Sequence, residues 1–114
     1  MAAGQNAREK LVQFLDEEAF DPILRTGPDR YSGNDKDKLH HVKDATERTK
    51  QRYHHDYTSA EEVRDRFRDD LSSTAAQRVQ RELEQLGLPT LHDVEYEFEG
   101  LCRDLGIGRS APRR

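Results

Sequence analysis

Five histidines, His40, His41, His54, His55 and His92, are the side chains best suited to chemistry near neutral pH, as metal ligands or as general bases. Their spacing works against both roles. On one helix His40 and His54 share a face to within about 40°, yet at about 1.5 Å rise per residue their backbones stand about 21 Å apart, too far to share an ion. The tightest local pairs are His40 with Asp44 and Asp37 with His41. Two ligands do not complete a site, and no H-E-x-x-H segment or second cysteine supplies more. Cys102 is a candidate nucleophile, but it falls on an apolar stripe, where a free thiol packs as a small hydrophobe. Surface histidines and a core cysteine are expected, with no metal and no cofactor. A metal-binding or histidine-based enzyme is the third reading of function.

Ion and nucleotide chemistry lack their spacings as well. Asp35-Lys36-Asp37 begins like a calcium loop, but the further oxygen ligands, the glycine and the distal glutamate do not follow. Gly106-Ile107-Gly108 lies past a helix end, whereas a phosphate cradle needs its glycines ahead of a helix start. General acid–base work needs carboxylates buried in perturbed pairs, and the acids here fall mostly on polar faces.

Arginines are the next candidates. Arg64, Arg66, Arg68, Arg78 and Arg81 lie close together, and helix, corner, helix around residues 75–105 has the outline of a helix-turn-helix. Asp65, Asp69, Asp70, Glu82 and Glu84 interrupt them, and the helix after the corner carries Asp93, Glu95, Glu97, Glu99 and Asp104 against Arg103 alone. Phosphate would repel such a reading helix. A nucleic-acid-binding regulator using Arg64, Arg68, Arg78 and Arg81 is therefore the second reading, disfavoured by charge.

The first reading rests on Tyr96. It falls about 160° from Phe98 on the last helix, on the polar face with Glu95, Glu97 and Glu99, and so is expected as an exposed aromatic anchor in an acidic surround. A small non-enzymatic protein acting by protein–protein contact, with an unidentified protein partner or as a homodimer, is the function this favours. Packing of Tyr96 under the N-terminal segment or the 25–34 loop is the structural alternative. The stripe of the 35–53 helix, with Tyr53 and Tyr57, is a further possible contact surface, with packing at the edge of the bundle as its equal alternative.

The elements that must position these residues are drawn from a lean chain. The 114 residues are 32% hydrophobic and 37% charged, and 19 basic against 23 acidic residues leave a net charge of −4. Leu, Ile, Val and Phe number 22, near the boundary with disordered composition, so folding has to be argued from pattern. So thin a core can hardly surround haem, flavin or lipid. No apolar run exceeds three residues and the first residues lack a signal peptide's regions, so a soluble, cytoplasmic protein with no membrane association is expected.

That pattern is helical throughout. Asn6 is the expected N-cap of a helix to about Phe20 with Leu11, Val12, Phe14, Leu15 and Ala19 inward, followed by a short turn opened by Asp21-Pro22 and a loop over residues 25–34. The next helix, 35–53, has a weak stripe of Leu39, Val42, Ala45, Thr46, Thr49 and Tyr53. With Asp44–Arg48 and Glu47–Lys50 on its other face, it is expected at the edge of the bundle. Ser59 with Glu62, or Thr58 with Glu61, predicts a capping box ahead of Ala60, Val63, Phe67 and Leu71. Val79, Leu83 and Leu86 fall about 100° off that stripe, so a break at Ser72-Ser73-Thr74 is required. Gly87 and Pro89 end the segment over residues 74–86. Thr90 and Asp93 open a last helix with Leu91, Val94, Phe98, Leu101, Cys102 and Leu105 inward, which Gly106 stops. The sum is one all-α domain over residues 1–114, a small irregular bundle of about five helices with frayed ends at 1–5 and 107–114.

Overall fold

The computed structural model describes residues 3–107. Among them the fold is all-α, without strands. The N-terminal coil is helix α1 (Ala3–Leu15), a π-helical turn (Asp16–Phe20) and the short α2 (Asp21–Leu24), all joined without leaving helical dihedrals. Asn6 therefore lies inside α1 and is not its N-cap. The coil continues because Leu15, Phe20 and Ile23 all bury against the rest of the molecule. A loop with a 3-10 turn at Pro28–Arg30 leads to α3 (Asn34–His55). Helices α4 (Ala60–Ser72) and α5 (Thr74–Gln85) follow, then a second 3-10 turn (His92–Val94) and α6 (Glu95–Asp104).

Polar side chains set the boundaries. Ser59 Oγ accepts from the Glu62 amide at 3.1 Å, and the Glu62 carboxylate turns back to accept from the Thr58 amide at 2.8 Å, which holds that carboxyl below its usual range. Ser73 closes α4 with its own amide bonded to the Asp69 carbonyl and opens α5 by accepting from the Ala76 amide, so one extended residue turns the chain. Gly87 takes φ +73°, and the amides of Gly87 and Leu88 bond to the carbonyls of Glu84 and Leu83, the Schellman pattern. Thr90 and Asp93 exchange side-chain-to-amide bonds at 3.2 and 3.0 Å, but they cap the 3-10 turn and reach α6 only through it.

The buried residues form two clusters. The larger joins Leu11, Leu15, Ala19 and Phe20 to Val63 and Phe67 of α4 and to Phe98 and Cys102 of α6, with the Phe67 and Phe98 rings stacked at 4.0 Å. The smaller gathers Ile23, Leu39, Val42, Leu83, Leu86 and Leu88. Helix α3 serves both, with Leu39 and Val42 in one and Tyr53 in the other, each fully buried. Its stripe is narrow, with Leu39, Val42, Thr46 and Tyr53 buried and Ala45 and Thr49 half-buried, while Asp44, Glu47 and Arg48 on the opposite face are exposed, as expected of a helix at the edge of the bundle. Its Lys50 pairs with Asp21 at 2.7 Å across an interface instead of with Glu47 along its own face. Of the expected frayed ends, residues 1–2 and 108–114 lie outside the described part. Within it α1 already runs from Ala3, and Ile107 is buried, its amide bonded to the Cys102 carbonyl.

Candidate functional site

Helix α6 turns Phe98 and Cys102 inward, and the same rotation turns Tyr96 out. Tyr96 is 83% exposed and is the one large hydrophobic side chain exposed among the described residues. Among the described residues, packing of Tyr96 under the 25–34 loop or the N-terminal segment, the structural alternative, does not occur. Glu95 and Glu97 flank it and are themselves exposed. Glu99 is different: Arg68 of α4 forks onto both its oxygens at 3.0 and 2.8 Å, which holds its carboxyl below the usual range and raises the guanidinium. The four expected contact residues therefore divide: Tyr96 and Glu97 are open, Glu95 is exposed but lies 3.9 Å from His92, and Glu99 is engaged within the fold.

The same bond removes Arg68 from the arginine set. Arg64, half-buried, bonds Asp65 through Nε and Nη2 at 3.1 and 2.8 Å. Only Arg78 and Arg81 remain, on the exposed side of α5, where Arg81 borders a shallow hollow of about 190 Å³ with Gln77, Gln80, Glu84 and His92. The four arginines do not form one basic face.

No group of three His, Cys, Asp or Glu side chains among the described residues is arranged to hold a metal. Three histidines pair singly with carboxylates. His41 Nδ1 lies 2.8 Å from Glu82 instead of meeting Asp37 on its own helix, His54 Nε2 lies 2.7 Å from Asp16 Oδ2, and His92 Nδ1 lies 3.9 Å from Glu95 Oε1. For Tyr53 and Tyr57 the structure takes the packed alternative over the contact surface. Tyr53 is fully buried, donates to Asp70 Oδ2 at 2.9 Å and packs edge-on against Tyr57 at 5.0 Å. Burial raises both Tyr53 and Asp70 above their ordinary values. Burial likewise pushes the Cys102 thiol up to about 11, too high to supply a thiolate nucleophile near neutral pH.

Periodicity did not point to the densest polar junction. In the π turn the Asp21 amide bonds to the Asp16 carbonyl, five residues back. On an α-helix those two side chains would point about 140° apart. The wider turn brings both to α3, where Asp16 meets His54 and Asp21 meets Lys50, one helical turn from each other. Asp16 Oδ1 is buried and accepts no hydrogen bond, while Lys50, bonded to Asp21, also feels the Asp16 charge and is raised. Beside this ladder Arg8 donates to the carbonyls of Tyr57, Tyr53 and His54 at 2.6, 3.0 and 2.8 Å, satisfying oxygens that the end of α3 leaves open. An open hollow of about 280 Å³ is lined by Arg8, Glu9, Val12, Gln13, Asp16 and His54. Among these side chains Arg8 and the Asp16–His54 pair join the N-terminal coil to α3, Gln13 bonds Glu17 along the coil at 2.9 Å, and no nucleophile stands next to the imidazole among these lining residues. No family model, curated protein or solved structure matches the chain, so its candidate site stands on this geometry alone.

Proposed function

We propose that the protein acts by protein–protein contact through the outer face of α6, with Tyr96 as the anchor and Glu95 and Glu97 as its charged surround. The observation that carries this reading is the 83% exposure of Tyr96 on a chain that buries or half-buries every other tyrosine and phenylalanine. An exposed tyrosine offers a large rigid surface at low entropic cost, and such side chains recur as interface anchors. Commitment of Arg64 and Arg68 to carboxylates weakens the nucleic-acid alternative.

The test is retention of a protein partner on immobilised wild-type chain and on Tyr96→Ala, with helicity checked by circular dichroism. Loss on the variant at unchanged helicity is expected, and equal retention would remove this surface. Light scattering on both proteins reads the homodimer form of the proposal, because a mass that halves on Tyr96→Ala makes the partner a second copy.

A further inference from the structure

Gly100 sits in the interior of α6 with ordinary helical dihedrals, four residues after Tyr96. Glycine there weakens a helix relative to alanine, and a packed neighbour is the usual reason to keep it. No such neighbour exists among the described residues: a Cβ built on Gly100 would meet only the Arg103 guanidinium, at 3.6 Å, an ordinary contact with the tip of a flexible side chain. The fold therefore gives no reason for this residue. Its effect falls on Tyr96, since side chains on a helix lean toward the N-terminus and a residue at i+4 would lie against the ring at i.

Tyr96 also differs from the chain's other tyrosines in what covers its ring. Arg30 lies over Tyr31 at 5.8 Å, Arg66 lies over Tyr57 at 5.6 Å, and Tyr53 packs between Phe20 and Tyr57. Among the described residues no cation or aromatic ring covers Tyr96.

We infer that Tyr96 and Gly100 form an aromatic ledge, bordered by Arg103 on the Gly100 side, that receives an arginine side chain of a partner, the guanidinium lying on the ring with Glu95 and Glu97 as counter-charges. This rests on the reading of α6 as the contact face and names the chemistry of its partner. A second copy using the same patch would set acidic residues against acidic ones, so the complementary occupant is a basic segment. Arginine suits the ledge better than lysine because its planar group stacks on the ring while its edge reaches carboxylates.

The probe is the peptide Gly-Arg-Gly-Arg-Gly-Arg-Gly, titrated at low ionic strength up to millimolar concentration and followed by NMR at the Tyr96 ring and along α6. Shifts centred on Tyr96 are expected, with affinity falling about fivefold in Tyr96→Leu, as loss of a cation–π contact implies, and kept in Tyr96→Phe. Gly100→Ala separates binding from folding, because it should raise the unfolding midpoint while weakening the peptide several-fold. Shifts spread over all acidic surfaces, or equal binding by Tyr96→Leu and Gly100→Ala, would overturn the ledge. If the peptide leaves Tyr96 untouched while the wild-type mass is that of a dimer which Tyr96→Ala dissociates, the contact face stands and the arginine partner is wrong. If neither occurs, both readings fall.

Discussion

Tyr53 enters the core with a hydroxyl that must find an acceptor, and Asp70 supplies it from α4. The cost appears on Asp70, which burial raises above the ordinary carboxylate range despite that hydrogen bond. A folded-state pKa above the unfolded value means that the protonated carboxyl favours the folded chain. That contribution is complete below the unfolded value of about 3.9 and is lost as pH rises through the folded one. Asp70→Asn keeps an acceptor and removes the titration. It should change stability at pH 4 by less than about 1 kcal/mol and abolish Asp70's part of the decline toward neutrality, as read from urea midpoints across pH. A steeper pH dependence in the variant would contradict this account. Cys102 gives a second prediction at this scale. Its burial and raised pKa leave it inert to a thiol reagent at pH 8 until the chain unfolds, and Cys102→Ser should cost about 1–3 kcal/mol through an unpaired hydroxyl. The sequence anticipated the buried cysteine from its place in a stripe. It did not anticipate Tyr53 and Asp70, because the two come together only when α3 and α4 pack.

Helix ends were the most legible elements, since capping depends on residues within a few positions of one another. Ser59, Gly87 and Gly106 do what their spacing predicted, the last two at φ +73° and +75°. Ser73 does more than the break required of it, ending one helix and capping the next. Ser73→Ala should therefore cost about 1 kcal/mol, checked by chemical denaturation, with Ser72→Ala as the neighbouring control. The π turn was not legible. One added residue per turn leaves no distinctive local composition, and its benefit, alignment of Asp16 and Asp21 with His54 and Lys50, exists only once α3 lies alongside. Helix α3 shows the same limit. Its polar face lies in water as the pattern predicted, but that its narrow stripe enters two different clusters, Leu39 and Val42 in one and Tyr53 in the other, depends on partners far away in sequence. Leu39→Ala should cost about 2–5 kcal/mol, the range of a core leucine, as read by chemical denaturation.

Across the whole molecule, two apolar clusters share α3 as a spine, and the body extends over 56 × 27 × 21 Å. Neither cluster has an independent wall on the α3 side, so unfolding should be a single transition. Far-ultraviolet circular dichroism and tyrosine fluorescence are expected to share one urea midpoint in the wild type and in Leu39→Ala, and separated midpoints would show that the clusters melt apart. The order of the residues by itself determined that the chain is helical, where most of its helices stop, which side chains face inward and that Tyr96 faces the opposite way from Phe98. Those properties follow from periods and caps that act over one or two turns. Only the tertiary structure decided which charges remain open to a partner, because an ion pair depends on elements far apart in sequence. Thus Glu99 and Arg68 neutralise each other across 31 positions, while Tyr96 finds no covering ring or cation among the described residues.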